Sequence, residues 1–540
     1  MPDAPAAPTP RLAGASLAAA AVLLAATAFY LRFGYSFGAG DHDDLLPELL
    51  RRLDPALFSR DPFVIERMVG VSVRGVFVSL LQVLAGAMPV SVAGALLHAA
   101  VFGTTALGIY RLAAALLQDL PFAALVAPTV STALLLLWPL GQNSVAYAYL
   151  VPEGVAWALV VHALVWLVRG RLVLPAVLIG LAGWVHAVTG LVVAVALTLT
   201  VLAAPAPAGR RLARAALFAG VCALVAAPFA LPVALSQSGD APGALPSAYD
   251  LFVRLRLPHH LLPTAFPPAS WLRFGALAVA GGASLVLLRR RGRLAGDGVA
   301  ERFLVVTAVL CAVAAVVVVG FESFAAARMQ AFKLTVPAAV LLTVGLCGAA
   351  ASVVAGAPDN LRRLIALPVR VPLATLAVAL LLAGATAVAT TAGAGRRGAM
   401  WMPRAHAASP DGRLEAWARS ETDVDALFIV PPANTSFRVG ARRSVLVTWK
   451  AHPFRAEPMR HWLRTLQLVA PAPWMAGDPG GWSYLGRTED AYCANDAAAW
   501  RRIAGETGAD YAVVEAGCGT PAAPAAFRAG PMSVHALLAP

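Results

Sequence analysis

Apolar runs of about 18 residues or more, each broken by a short polar segment, recur through the first two thirds of this 540-residue chain. A helix rises about 1.5 Å per residue, so runs of that length match a bilayer's hydrocarbon core of about 30 Å. Charged residues make up only 13% of the chain, against about 25% in ordinary soluble domains. The sequence therefore predicts an α-helical polytopic membrane protein.

The formal net charge of +13 does not point to a nucleic-acid partner. In the apolar region the arginines cluster in short segments between runs, the distribution expected of loops on the cytoplasmic face of a lipid bilayer. Arg111, the pair Arg169 and Arg171, the group Arg210, Arg211 and Arg214, "RRRGR" at 289–293, and Arg362, Arg363 and Arg370 mark that face. The first run, Leu12 to Phe33, has one basic residue before it, Arg11, and reads as an uncleaved span with the N-terminus cytoplasmic. Between Leu172 and Ala204 both flanks are basic, which requires two short helices hinged near "GWVHAVTG" (183–190). The count is about 11 transmembrane helices within residues 1–395, with a first external loop at 34–89 and a second long one at 236–270. Trp157, Trp166, Trp184 and Trp271 fall near the expected membrane interfaces.

Past residue 395 the composition turns polar. "DALFIV" (425–430), "RSVLVTW" (443–449) and "DYAVVEA" (510–516) read as buried strands separated by helical patterns. Residues 396–540 are thus expected to form a small extracytoplasmic α/β domain. Cys493 and Cys518 lie in it, either as a disulfide or as two free thiols.

The first external loop opens with "GDHDDLLPELLRRLDPALF" (40–58). Leu45, Leu46, Leu49, Leu50 and Leu53 share one helical face, as expected of an amphipathic helix lying in the membrane interface. Asp43 or Asp44, with Asp44 favoured, suits the N-cap. A cap does not need three carboxylates. Asp41 and Asp43 form a D-x-D pair that can supply a base or hold a divalent cation such as Mg or Mn, and the sequence leaves any cofactor open.

These features together resemble the membrane glycosyltransferases of the GT-C superfamily, such as protein mannosyltransferases and aminoarabinose transferases. Nearly the whole chain also resembles a family of uncharacterised bacterial multispanning proteins. That likeness lies in "GDHDDLLPELLRRLDPALFSRDPFV", in an R-x-P-H-H loop ("RLPHHLLP", from Arg256) and in "DALFIVPPANTSFRVGARRSVLVTWKAHPF". The resemblance implies a bacterial inner-membrane enzyme with an extracytoplasmic C-terminal domain. It would move a sugar from a polyprenyl-phosphate donor, with inversion, to a glycan, lipid or protein acceptor. Asp41 or Asp43 would be the catalytic carboxylate.

The leaving phosphate needs positive charge or hydrogen-bond donors. His259, His260 and Arg256 in the second long loop, with Arg328 and Lys333, are candidates. Glu153 and His186, near the outer ends of spans, join them because ionisable groups at membrane depth usually face a cavity or a partner. Each also has a structural reading, as a helix-dipole partner, a satisfied buried histidine or a snorkelling base. Two other functions stay open. A transporter or flippase of lipid-linked glycans would place charges deep within spans. A non-catalytic scaffold would keep the fold without the chemistry.

Overall fold

The computed structural model describes residues 10–537 except 39, 70–71, 237–245, 356–366, 393–399, 402–405 and 476. Arg362, Arg363 and part of the 236–270 loop lie outside the described residues. Six helices are long and apolar enough to cross a membrane: Gly14–Phe33, Val90–Leu116, Ala208–Val233, Pro268–Arg290, Val299–Gly320 and Phe324–Val354. The chain is a multi-pass membrane protein. Shorter apolar helices run over Gly75–Ala85, Pro121–Leu134, Pro152–Val168, Val173–Val185, Ala187–Leu202 and Pro372–Leu382.

The helices share one core that includes Phe29, Phe102, Ile109, Trp157, Val193, Phe218, Phe303 and Leu341. Trp157, expected in an interfacial belt, is instead fully buried there. Between the two arginine-flanked segments the chain does reverse, at His186 (φ −145°, ψ 91°), which ends one short helix and caps the next. The reversal depends on small residues. A Cβ on Gly190 would lie 2.4 Å from the Gly183 Cα, so the helices cross backbone to backbone.

The first segment between spans builds β1 (Tyr35–Ser36) and the helices His42–Leu53, Pro62–Met68 and Gly75–Ala85. Its leucine face does not lie on a membrane surface. Leu45, Leu46 and Leu49 pack on Phe77, Val78 and Leu81 of the Gly75–Ala85 helix and on Leu150 and Val151, while Leu53 stays exposed. An amphipathic face takes whatever apolar partner is nearest, and the same segment supplies one. The Asp54–Pro55 step ends the first of these helices, as expected.

β1 pairs in parallel with β2 (Met400–Trp401), so the first segment meets the start of the C-terminal region. That region holds a five-stranded sheet of order β4-β3-β5-β7-β6. Its strands are β3 (Leu427–Ile429), β4 (Ser444–Val445), β5 (Tyr511–Glu515), β6 (Ala525–Ala529) and β7 (Met532–Ala536). β3, β4 and β5 are parallel, and β7 runs antiparallel to β5 and β6. The β6–β7 hairpin turns at Gly530 (φ 58°), in the left-handed region that favours glycine. Cys493 and Cys518 are joined as a disulfide. The 250–262 segment docks on this domain: Leu251, Phe252 and Leu255 share a core with Trp449, Trp462 and Tyr484.

Candidate active site

The three clustered aspartates begin the helix His42–Leu53, and the cap is not where the sequence suggested. Asp41, not Asp43 or Asp44, is the N-cap residue, and its side chain makes no capping bond. Its backbone carbonyl already accepts from the N–H groups of Asp44 and Leu45. Successive helical residues turn by about 100°, so Asp41, Asp43 and Asp44 point in different directions.

Asp43 points into the C-terminal domain and is 1% exposed at its side chain. It accepts from Arg438 Nη1 at 3.0 and 3.1 Å and from Thr448 Oγ1 at 2.7 Å. The same guanidinium donates Nε to Asp61 at 2.7 Å, and Asp61 caps the Pro62–Met68 helix through the N–H groups of Phe63 and Val64. Burial alone would pull the Arg438 guanidinium down, but Asp61 and Asp43 hold it above its ordinary value, so it stays charged. Asp44 turns back into its own segment and pairs with Arg67 and Arg74. Burial would raise its carboxyl, yet those two cations hold it below the usual range.

Asp41 differs from both. Its side chain is 32% exposed and pairs with Lys450, and Tyr149 Oη approaches to 3.5 Å, the outer limit of a hydrogen bond. Burial would raise this carboxyl, but Lys450 and, further off, Arg74 keep it below its ordinary value. Asp43 is sealed and saturated; of the D-x-D pair only Asp41 has a face open to solvent.

Beneath it the segment 140–151 forms a floor. Tyr149 reaches Asp41, the Leu150 carbonyl bonds His42 Nε2 at 3.0 Å, and the Gly141 carbonyl bonds His260 Nδ1 at 2.6 Å. Lys333 Nζ donates to Glu153 at 2.6 Å and to Asn143 at 3.3 Å, so both of these candidates lie at one place. The charge of Glu153 is felt in turn by His186 and His260, and that of Lys450 by His259 and His260. His186 has a structural duty as well, since its Nδ1 accepts from the Thr189 N–H at 3.2 Å and caps a helix.

The two adjacent histidine rings lie tilted to each other with centroids 4.2 Å apart, and His259 lies against Trp482 at 5.4 Å. Burial pushes His259 down to about 2 and His260 down to about 4, the latter with help from Lys333, so both are neutral at pH 7. His259 Nδ1 is buried and has no hydrogen-bond partner among the described residues. Arg256 is buried over the Trp449 ring at 4.8 Å and donates to the Trp449 carbonyl at 3.1 Å. Burial lowers its guanidinium to about 10, against the pull of Asp44 and Asp41. It fastens the second loop to the C-terminal domain, with its charge still directed at the aspartates.

Arg328 does not join this cluster. It is exposed and stacks on Phe324 at 5.5 Å. A metal held between Asp41 and Asp43 does not fit either, because the two carboxylates face different cations, Lys450 and Arg438. Among the described residues no three His, Cys, Asp or Glu side chains converge on a common point. Residues that the sequence did not single out, Lys450, Tyr149, Asn143, Arg438 and Thr448, complete the arrangement. The only signal for Arg438, Thr448 and Lys450 was their place in the "FRVGARRSVLVTWKAHPF" stretch.

The fold and this cluster define a class: a multi-pass helical membrane protein with a C-terminal sheet domain and an ionisable site where the two meet. A crystal structure of ArnT from Cupriavidus metallidurans bound to undecaprenyl phosphate matches over 98% of this chain and 99% of that one, at 14% identity and a TM-score of 0.45. Residues 410–469 match DUF6798, a domain of unknown function. No curated protein matches the chain.

Proposed function

We propose that the chain is a GT-C-type glycosyltransferase, taking a sugar from a polyprenyl-phosphate donor and passing it, with inversion, to a hydroxyl of a glycan, lipid or protein. The observation that carries this is the different fate of three neighbouring aspartates. Two are buried against guanidinium groups, while Asp41 alone keeps an open face, beside a lysine and over Tyr149. In this reading Pro121–Leu134, Pro152–Val168, Val173–Val185, Ala187–Leu202 and Pro372–Leu382 would cross as well as the six long apolar helices, for a total of eleven crossings. An odd number puts the C-terminal domain across the membrane from the N-terminus. The disulfide fits an oxidising extracytoplasmic face of a bacterial inner membrane.

In this reading the acceptor hydroxyl oxygen bonds to the anomeric carbon as the bond from that carbon to the phosphate oxygen breaks, its electron pair leaving with the phosphate. The hydroxyl proton passes to Asp41. Lys450 is the cation placed to meet the leaving phosphate, with His259 and His260 as neutral hydrogen-bonding groups. As Lys450 turns from Asp41 to the phosphate, the half-buried carboxylate loses its partner and becomes a stronger base. No metal takes part in this scheme.

The direct test is turnover of polyprenyl-phosphate sugars by purified wild type and by Asp41→Asn. A fall of at least 10²-fold is expected, since a positioned base contributes about 10²–10⁴. Unchanged turnover in a correctly folded Asp41→Asn would remove Asp41 as the base.

A further inference from the structure

A cavity of about 270 Å³ lies at the other end of the helical core. The helix Pro152–Val168 links the two places: Glu153 in its first turn belongs to the candidate active site, while Leu167 and Val168 in its last turn line the cavity. Fourteen to fifteen residues of helix separate them by about 20 Å. Its apolar walls include Leu167, Val168, Leu172, Val201, Ala204 and Val299, and its charged groups are Arg169, Arg214, Arg302 and Asp297.

The charges do not cancel. Arg302 pairs with Asp297 at 3.1 Å, which leaves Arg169 and Arg214 with no carboxylate partner among the described residues. Among the described residues the buried Arg302 Nε–H finds no acceptor, a donor that ordinary packing would have satisfied. Arg169 is exposed at the rim, its guanidinium lying 5.3 Å from the Trp166 ring. The flanking residues Val173, Leu174 and Leu212 are exposed at 53%, 41% and 59%, as suits positions facing acyl chains. An apolar slot with unpaired guanidinium groups at its mouth complements a group that is anionic at one end and apolar at the other.

We propose that this cavity binds the phosphate headgroup of an anionic phospholipid from the leaflet on the arginine-rich side. Arg169, Arg214 and the free Nε–H of Arg302 would contact the phosphate, and the acyl chains would run along Val173, Leu174 and Leu212. Its volume suits a glycerophosphate headgroup, since sites for larger drug-sized ligands run to about 300–1,000 Å³. A free phosphate anion shares the headgroup chemistry but has no use for the apolar walls.

The test is native mass spectrometry of the full chain in detergent with phosphatidylglycerol, phosphatidylcholine or inorganic phosphate added. Wild type is expected to retain one phosphatidylglycerol, in preference to phosphatidylcholine, and Arg169→Ala with Arg214→Ala to retain at least tenfold less. Arg169→Gln, at an exposed side chain, keeps the test intact should the double variant fail to fold, and is expected to lose retention in the same direction. Arg290→Ala, exposed at the same end of the bundle but outside the cavity, is expected to behave as wild type. Three results would each overturn the proposal: equal retention in all variants, equal loss in Arg290→Ala, or displacement of the lipid by inorganic phosphate, which would make the site one for a free anion.

Discussion

Arg438 is the residue whose removal should tell most about how this protein is assembled. It is fully buried and uses all three nitrogens: Nε on Asp61, Nη1 on Asp43 and Thr448, and Nη2 on the Val445 carbonyl at 3.3 Å. Both carboxylates belong to the first segment between spans, so the guanidinium links two parts of the chain about 400 residues apart. Arg438→Met keeps much of the side-chain volume but leaves Asp43 and Asp61 buried without their cation. Breaking a buried pair by removing one partner costs about 3–5 kcal/mol, because the remaining charge stays desolvated. The cost should appear as local opening of 42–66 away from the sheet rather than loss of the apolar helical core, which does not touch Arg438. Since 1.4 kcal/mol is a factor of ten, backbone amides of the His42–Leu53 and Pro62–Met68 helices should exchange roughly 10²- to 4 × 10³-fold faster. Hydrogen exchange followed by mass spectrometry reads this directly, with peptides from Val90–Leu116 as the unchanged reference. Asp43→Asn should be milder, because Arg438 keeps Asp61 and the amide oxygen still accepts from Thr448. Unchanged exchange in Arg438→Met, or equal effects in the two variants, would refute the lock.

Replacing Lys450 by Met should move the acid limb of the kcat/KM profile toward neutral pH. Asp41 acts as a base only when ionised, Lys450 holds its carboxyl low, and burial raises it once the ammonium is gone; an unmoved limb would contradict the pairing. Glu153→Gln should weaken the hold on Lys333 and lower turnover at least tenfold while leaving the C-terminal domain's exchange pattern intact. Stability should fall as pH drops from about 6.5 toward about 4, because His259 and His260 stay neutral when folded but take up protons when unfolded. Thermal unfolding at graded pH, compared with His260→Asn, measures the contribution, and an identical pH dependence would count against it. Cys493→Ser with Cys518→Ser should cost the C-terminal domain about 3.5 kcal/mol, given a closed loop of 25 residues, read by denaturant unfolding followed at the domain's tryptophans.

Six long spans, the reversal between Leu172 and Ala204 and three of the five sheet strands were legible in the sequence, because each has a local signature. Apolar length marks a span, a basic residue on both flanks forces a reversal, and β-branched runs mark buried strands. The β6–β7 hairpin had no such signature, since "AAFRAGPMSVHA" has few β-branched residues and β6 is only partly buried. The leucine face of His42–Leu53 was legible as a face but not as a contact, since periodicity reports that a side is apolar without naming what covers it. Asp41, Glu153, His186 and Lys333 could be singled out as ionisable groups near span ends. That Lys333 meets Glu153, and Lys450 meets Asp41, depends on pairings across 180 and 409 residues that no local pattern encodes. Arg328 misled for the complementary reason: a base near a span end has the same local appearance whether it faces a site or the solvent.

The three aspartates show how a short acidic cluster can assemble a site from distant parts. A helical turn of about 100° per residue sends neighbouring carboxylates to different surroundings. Asp44 tightens the segment itself through Arg67 and Arg74, and Asp43 ties that segment to the C-terminal domain through Arg438. Each fixes the axis of the same helix, and so fixes where its first residue sits. Asp41 is therefore held at one position over Tyr149 without having to be buried, which a base needs in order to meet a substrate. Lys450 comes from the same stretch as Thr448, only two residues on, so the contact that seals Asp43 also delivers the ammonium to Asp41. Docking of the C-terminal domain and completion of the site are then one event. A chain that failed to dock would keep Asp41 at the helix start but lose Lys450, which among the described residues is the cation that pairs with it directly.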